Sequence, residues 1–305
     1  MVAGPAEVEL RSKLGPPQDQ EPYQLGGLVL LVPAVLLLLA LFIAPVLFAF
    51  YLAFTKLTLV GPDAQSFQFT GAHNFQRMLG DSVFRQSLVL TLTFLVAATI
   101  GAQSAIALAL ALLMQRAQRA VRLVVSGIAI VAWVIPDVTA GIAWYAFAQA
   151  GGTLGLLLRR PGEDFLTTWP FLIVCIALVW HNVAFSMLIF SAGLRNVPDE
   201  LLEAAEMEGA DYPTRLRSVT LPILQPTIIT NFLLSILQNL SAFTLIYVMT
   251  QGGPNNATMT LPVYAYQQAF EYDQLGYGTA IAAVLLLVGA VFGVFFVRRL
   301  RLEAE

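Results

Sequence analysis

Residues 26–53 read GGLVLLVPAVLLLLALFIAPVLFAFYLA, a stretch without a charged side chain. A helix needs about 20 apolar residues to cross roughly 30 Å of hydrocarbon, so this stretch is long enough to span a membrane. It is longer than the apolar core of a signal peptide, and no small-residue cleavage site follows it. The stretch therefore predicts a membrane-spanning helix that is retained in the mature protein.

Five further apolar stretches of similar length follow it. The six candidate spans cover about residues 26–53, 87–114, 122–149, 169–194, 223–250 and 275–297. The third is the least regular, because Pro136 and Asp137 lie inside it. Of the 305 residues, 58% are hydrophobic and only 11% are charged, too few charges for the surface of a soluble fold. The sequence predicts an all-α polytopic membrane protein whose six transmembrane helices occupy residues 26–300.

The distribution of Lys and Arg among the loops predicts the orientation. Cytoplasmic loops carry an excess of these residues. Here most of them lie near the N-terminus, in the second and fourth loops and at the C-terminal end, whereas the loop before the last span has none. We therefore expect both termini to be cytoplasmic. Residues 1–25 contain four prolines among alternating charges, which predicts a mostly disordered cytoplasmic tail.

The residue content argues against several classes of site. Cys175 is the single cysteine and lies in an apolar run, so no disulfide framework or cysteine-based metal site is expected. His73 and His181 fall in an outer loop and a span, which predicts no metal site. The basic residues form no patch for nucleic acid. The chain has neither a P-loop for ATP nor a Gly-x-Ser-x-Gly elbow of a serine hydrolase.

The cytoplasmic connection at residues 196–222 has a helical design of its own. Pro198 suits a first helical turn, and Asp199 and Glu200 follow where a helix dipole favours negative charge. Gly209 stands where the end of a helix requires a positive φ angle. These signals predict a first short helix that ends at Gly209.

A second short helix is expected from near Pro213 to Val219. Asp211 lies close enough to assist its cap. After it, Leu221-Pro222 is expected to turn the chain into span five. The connection as a whole is thus predicted to be a cytoplasmic helix-turn-helix.

The residues of this loop resemble the EAA motif of the permeases of binding-protein-dependent ABC importers. They read Glu203-Ala204-Ala205, three residues, Gly209, nine residues, then Val219-Thr220-Leu221-Pro222. The one departure is Val219, where the family usually has Ile. In that family the loop docks in a surface cleft of an ATPase subunit. The resemblance implies that the coupling contacts are made by Glu203, Ala204, Ala205, Met207, Gly209, Leu221 and Pro222.

The resemblance covers nearly the whole chain and narrows to the carbohydrate permeases of the maltose type. Thr250-Gln251-Gly252-Gly253-Pro254 and Gly276-Tyr277-Gly278 are similar to the signature of that class. Within it, the chain resembles most the trehalose-importer permeases of actinobacteria. The resemblance places Gly252, Gly253 and Pro254 in an outer loop that contacts the binding protein.

The resemblance also implies a prokaryotic cell membrane and a set of partners. These are a second, related permease in a heterodimer, two cytoplasmic ABC ATPase subunits, an extracytoplasmic sugar-binding lipoprotein and the membrane lipids. ATP and Mg are expected on the ATPase subunits and no cofactor on this chain, which is expected to be a transporter subunit and not an enzyme. The implied function is uptake of a sugar, such as the disaccharide trehalose.

Polar residues inside the spans are candidate solute contacts, because polar groups in hydrocarbon usually face a cavity or another helix. Asn231, Ser235, Gln238 and Asn239 recur at helical spacing on one stripe of span five, followed by Phe243. Neutral amides and hydroxyls beside an aromatic ring suit an uncharged sugar. The alternative is that these residues only hydrogen-bond neighbouring helices.

The resemblance implies that the spans flanking the coupling loop line the solute path, so span four adds His181 and Asn182 as candidates. The alternative for His181 is a histidine whose hydrogen bonds are satisfied by neighbouring helices. Span three adds Asp137. For Asp137 the first interpretation is a helix cap, because Asp often caps a helix start. Binding a sugar hydroxyl or carrying a proton are the alternatives. The competing function is a proton-coupled secondary carrier that uses Asp137 and His181. It leaves the loop at 196–222 unexplained, and six spans are few for a carrier built from inverted repeats.

Overall fold

The computed structural model describes residues 25–61, 64 and 67–304. Apart from Leu25, the predicted tail lies outside the described residues. The regular structure within these ranges is helical except for one isolated bridge between Thr55 and Phe69. Its α-helices are α1 (Leu25–Leu38), α2 (Ala44–Ala53), α3 (His73–Gly80), α4 (Ser82–Thr93), α5 (Ser104–Arg116), α6 (Arg119–Val134), α7 (Asp137–Ala148), α8 (Thr153–Leu157), α9 (Phe165–Thr168), α10 (Pro170–Leu194), α11 (Asp199–Met207), α12 (Tyr212–Arg215), α13 (Leu221–Leu240), α14 (Thr244–Thr250), α15 (Leu261–Tyr266) and α16 (Leu275–Ala304). Short π-helical segments at Leu39–Ile43, Phe94–Gln103, Leu216–Thr220 and Gln267–Glu271 join or extend neighbouring helices.

In the described part of the chain, five helical stretches are long and apolar enough to cross a membrane. They are Leu31–Ala53, Ser82–Arg116, Pro170–Leu194, Tyr212–Leu240 and Leu275–Arg301. Together α6 and α7 provide a sixth, bent by 103° at its middle. The predicted all-α polytopic membrane fold is confirmed.

The third span is broken and does not run as one helix through residues 122–149. The break lies at Ile135 and Pro136, which adopt extended backbone angles. A residue before proline is disfavoured in the α conformation, and proline itself cannot donate the next helical hydrogen bond. The chain therefore leaves α6 and starts α7 in a new direction.

The fifth span begins and ends earlier than predicted. No turn occurs at Leu221-Pro222, because the helix that starts at Tyr212 continues through Leu216–Thr220 into α13. The wider π-helical turn lies directly before Pro222 and accommodates the hydrogen bond that proline cannot make. At the other end, α13 stops at Leu240 and α14 is a separate helix. The second half of the predicted loop, residues 212–222, therefore lies on the helical stretch that continues into span five.

Residues 50–305 form one compact unit, and α10 lies at the centre of its packing. Val174, Ala177 and Ala184 on this helix are fully buried. The helix contacts α5, α6, α13 and the segment Phe94–Gln103. At Gly193 a Cβ would lie 2.6 Å from the Thr227 side chain, so only glycine permits this approach of α10 to α13.

A polar cluster ties together the ends of three helices on the side away from the coupling loop. The Asp81 carboxylate caps α4 by accepting from the backbone N–H groups of Val83 and Phe84. It also accepts from the hydroxyls of Tyr264, at 2.5 Å, and Tyr277, at 2.6 Å. Burial alone would raise the pKa of Asp81, but these hydrogen bonds to the charged form outweigh it and lower the pKa.

Candidate functional site

The first candidate site is the coupling loop, whose helix α11 projects away from the rest of the unit. None of its residues is buried, and the Met207 side chain is 88% exposed. Glu203 and Ala204 are exposed as well, while Ala205 is half-buried. A helix that carries apolar and small residues yet buries none of them within its own chain has a surface suited to a partner.

Gly209 ends α11 in the left-handed conformation. Its φ angle is +85°. The N–H of Ala210 bonds the carbonyl of Ala205 at 3.0 Å, and that of Gly209 bonds Glu206 at 2.9 Å, which is the hydrogen-bond pattern of a glycine-terminated helix. No heavy atom lies within 4 Å of the place where a Cβ on Gly209 would stand.

Two contacts fix the loop to the helices behind it. The Arg116 guanidinium at the end of α5 stacks on the Tyr212 ring, 3.9 Å from its centroid, and Arg215 forms a salt bridge with Glu206. Asp211 caps α12 by accepting from the Thr214 N–H at 3.1 Å. The base of the loop is thereby held against span two.

Leu221 and Pro222 do not share the loop with the other predicted coupling residues. They form the first turn of α13, beyond the π-helical segment. The structure brings together Glu203, Ala204, Ala205, Met207 and Gly209 in one short segment, and it places Leu221 and Pro222 on α13.

The second candidate site is the polar stripe of span five, defined as Asn231, Ser235, Gln238 and Asn239. Its first half faces other helices and not a cavity. Asn231 and Ser235 are fully buried. Asn231 donates to Ser104 at 3.0 Å, and Ser235 lies 3.2 Å from the hydroxyl of Ser186. For these two residues the structure supports hydrogen bonding between helices.

Gln103 links this network, and sequence reasoning did not identify it. Its side chain is buried, donates to Ser186 at 2.9 Å and accepts from Asn239 at 3.1 Å. Asn182 joins by donating to Asn239 at 3.3 Å. Gln103 could have been found from the sequence, because the polar pair Gln103-Ser104 interrupts a mainly apolar run.

The second half of the stripe opens to the surface of the subunit. Gln238 is exposed and Asn239 is half-buried. Beyond them lies a cluster of four partly exposed rings, whose successive centroids are 4.7–5.3 Å apart. The cluster consists of Phe243, Tyr247, Tyr266 and Phe270. The Tyr247 hydroxyl donates to Glu271 at 2.5 Å, so neutral amides, aromatic faces and a carboxylate adjoin one another here.

His181 holds the two halves of the broken third span. In a continuous helix the carbonyl of Ala132 would accept from the N–H of residue 136, but Pro136 has none. The His181 Nδ1 lies 2.9 Å from that carbonyl and donates to it. Its Nε2 lies 2.8 Å from the Asp137 carboxylate on the other side of the break.

Asp137 does not cap α7, contrary to the first interpretation. It lies in the first turn of that helix, where no side chain accepts from the capping positions. Its carboxylate is directed to His181 instead, and its side chain is 52% exposed. Asp137 and His181 are thus brought together at the point where span three breaks, as the hypothesis of a proton-coupled carrier required.

The loop with Gly252, Gly253 and Pro254, which is predicted to be an outer loop, is compact. Gly252 has a φ angle of +85°, and a Cβ there would lie 2.6 Å from the Met259 methyl group. The bond between Gly253 and Pro254 is cis. The hydroxyls of Thr250 and Thr258 lie 2.6 Å apart across the loop. Across the described ranges of the chain, no group of three His, Cys, Asp or Glu side chains forms a metal site.

Similarity to known proteins agrees with this arrangement. Residues 103–301 match the family model described as "Binding-protein-dependent transport system inner membrane component". The chain is 30% identical over 290 residues to the sulfoquinovosyl glycerol transport system permease protein SmoG of Agrobacterium fabrum, covering 91% of each chain. It is 32% identical over 272 residues to the trehalose transport system permease protein SugA of Mycobacterium tuberculosis H37Rv, covering 88% of this chain and 87% of that one.

One solved structure extends the fold comparison to nearly the full length. It is a bacterial alginate ABC transporter in complex with an alginate pentasaccharide-bound periplasmic protein. A chain of that structure matches with a TM-score of 0.73 at 19% identity, covering 95% of this chain and 94% of the other.

Proposed function

Because the chain belongs to the family of binding-protein-dependent transport system inner membrane components, we propose that it is the permease subunit of an ATP-driven sugar importer. As a membrane component of a transport system it is not itself an enzyme. Both relatives named above transport sugars or sugar derivatives by their descriptions. The periplasmic protein in the alginate transporter structure supports delivery of the solute by an extracytoplasmic binding protein.

The observation that carries the proposal is the exposed helix α11, terminated by Gly209. The chain has no P-loop of its own, so energy must enter through another subunit. We propose that α11 docks on a cytoplasmic ATPase subunit, which binds ATP and Mg. The stacked pair Arg116–Tyr212 then transmits the movement of α11 to span two. In this arrangement both termini lie in the cytoplasm. A related second permease completes the pore.

The exposed end of the polar stripe supports an uncharged sugar as the solute. Gln238, Asn239 and Phe243 offer amide groups and an aromatic face, and the neighbouring carboxylate of Glu271 accepts from a hydroxyl donor. Lys and Arg are absent from 251–274, the loop that carries half of the aromatic cluster. A sulfonated sugar would need a cation in its path, so trehalose is the better candidate substrate.

The test is uptake by proteoliposomes that contain the complete complex and its binding protein. Labelled trehalose should accumulate only with internal ATP and external binding protein. Maltose and sulfoquinovosyl glycerol serve as competing solutes, and a non-hydrolysable ATP analogue serves as the control. Uptake driven by a proton gradient without ATP would refute the importer, whereas ATP-dependent uptake of another of these solutes would refute only trehalose.

A further inference from the structure

A groove beside the broken third span has the features of a lipid site. It lies between α7, α8 and the start of α10, with a volume of about 530 Å³. Its walls are mainly apolar and include Trp144, Phe147, Leu158, Trp169, Leu172 and Ile176. A second apolar groove of about 290 Å³ adjoins it and shares Trp144 and Phe147. An apolar cavity of about 150 Å³ already accepts a benzene molecule, so the larger groove has room for a long stretch of acyl chain.

The surroundings of the groove place its mouth at the membrane interface. Leu156 and Leu157 on α8 are 62% and 69% exposed, and after Leu158 the sequence continues with two arginines. Exposed leucines next to basic residues are typical of helices that lie in the plane of the interface. Trp169 is 55% exposed just before the start of span four, where tryptophan commonly marks the headgroup level.

The groove has one arginine in its lining and a second arginine next to it in the sequence. Arg160 lines the groove, and the Arg160 guanidinium lies 3.2 Å from the Glu163 carboxylate. The other nearby acid, Asp164, accepts from the Leu166 N–H at 3.0 Å and caps α9. The backbone N–H of Arg159 bonds the Leu156 carbonyl at 3.2 Å, but its guanidinium makes no hydrogen bond or ion pair with any residue that the structure describes. One arginine charge is therefore left without a protein partner.

The backbone at Arg159 adds an independent indication. Its φ angle is +58°, at the end of α8, where the left-handed conformation is normally taken by glycine. The turn is fixed by the Arg160 N–H, which bonds the Gly155 carbonyl at 2.7 Å. A charged side chain with a Cβ is held here in a conformation that disfavours it, and such outliers concentrate at binding sites.

We propose that this groove binds an anionic phospholipid, with an acyl chain along Trp144 and Ile176 and the phosphate on Arg159 and Arg160. An arginine pair binds a phosphodiester through paired, charge-assisted hydrogen bonds. A zwitterionic lipid offers the same phosphate but carries its own cation, so the anionic headgroup is preferred. The site is separate from the solute path and does not depend on which sugar is carried.

The experiment measures lipid bound to the purified, delipidated complex by native mass spectrometry. Palmitoyl-oleoyl phosphatidylglycerol and phosphatidylcholine are supplied in equal amounts. We expect the wild type to retain phosphatidylglycerol preferentially. Each arginine lost should weaken this preference by about fivefold, so R159Q/R160Q should bind the two lipids nearly equally. The matched control is Arg85→Gln, which removes an exposed arginine elsewhere and should bind as the wild type does.

A second variant and a quenching measurement locate the lipid. Ile176→Trp fills the groove with apolar bulk and should release phosphatidylglycerol while both arginines remain. Brominated phosphatidylglycerol should quench the tryptophan fluorescence of the wild type by a larger fraction than the tryptophan fluorescence of the Trp169→Phe variant. Equal binding of the two lipids by the wild type, or unchanged preference in R159Q/R160Q, would overturn the proposal. Absence of quenching at Trp169 would also overturn it, since the groove would then be covered by the second permease.

Discussion

Substitution of Gly209 tests whether the loop ending at this residue transmits the energy of ATP hydrolysis. The left-handed φ angle of +85° penalises most residues with a Cβ by about 1 kcal/mol, with Asn as an exception. Because no atom lies within 4 Å of the new Cβ, no clash inside the chain adds to this figure. A backbone penalty of about 1 kcal/mol lowers the population of the docking-competent loop by about fivefold.

Two variants separate the backbone effect from a clash with the ATPase. Ala is small but is disfavoured in the left-handed conformation, whereas Asn is larger and tolerates that conformation well. If the backbone conformation matters most, Gly209→Asn should couple better than Gly209→Ala. If contact with the ATPase matters most, the order reverses. Gly209→Asp adds a negative charge to a side chain of the same size as Asn and should abolish coupling.

The assay compares ATP hydrolysis by the reconstituted complex with and without binding protein and sugar, alongside uptake. Glu203→Ala serves as the milder comparison, because an exposed charge is easier to lose than a backbone conformation. Membrane insertion is checked by the yield of assembled complex. Wild-type coupling in Gly209→Ala, Gly209→Asn and Gly209→Asp alike would show that the loop is not the transmission element.

Three further predictions address topology, the polar stripe and pH. In a cysteine-free background, a cysteine at Asn255 should react with an impermeant thiol reagent from outside and one at Gln118 should not; equal labelling would refute the predicted topology. Gln103→Leu should lower the melting temperature, since it removes the hydrogen bonds to Ser186 and Asn239, each worth about 1 kcal/mol. Gln238→Ala should reduce uptake at unchanged stability; the opposite pattern would show that Gln103 serves transport and Gln238 serves packing. Because hydrogen bonds lower its pKa, the ionised Asp81 stabilises the fold above about pH 4. Asp81→Asn should have a lower melting temperature than the wild type at pH 7, and this difference should shrink as the pH falls below 4. A difference in melting temperature that stays constant with pH would exclude the ionisation of Asp81 as the reason for it.

Local signals in the sequence predicted the coupling loop well, because the loop depends on local chemistry. Gly209 required a left-handed angle and Asp211 offered a cap, and both effects act within a few residues. The apolar runs likewise predicted the spans, since a length requirement is readable without knowing any neighbour. The helix ends that depended on Pro222 were predicted less well, because a π-helical turn can absorb a proline without ending the helix.

The polar stripe shows what periodicity leaves undetermined. Asn231 and Gln238 are seven residues apart and share one helical face, yet Asn231 is fully buried and Gln238 is exposed. Burial depends on how far the neighbouring helices extend, and the early end of α13 at Leu240 carries Gln238 to the surface of the subunit. No proline or glycine marks that end. The division of the stripe into a packing half and an exposed half therefore required the structure.

The break in the third span explains why an acid and a histidine lie together inside otherwise apolar stretches of the sequence. A break in a membrane helix leaves backbone groups unpaired, and each must find a partner inside the protein. Pro136 removes the donor that the Ala132 carbonyl would need, and His181 supplies the replacement. His181 therefore contacts that carbonyl through Nδ1 and the Asp137 carboxylate through Nε2, and one ring joins the two halves of the span. The pair is thus accounted for by the break itself, and a proton relay is not needed to explain it.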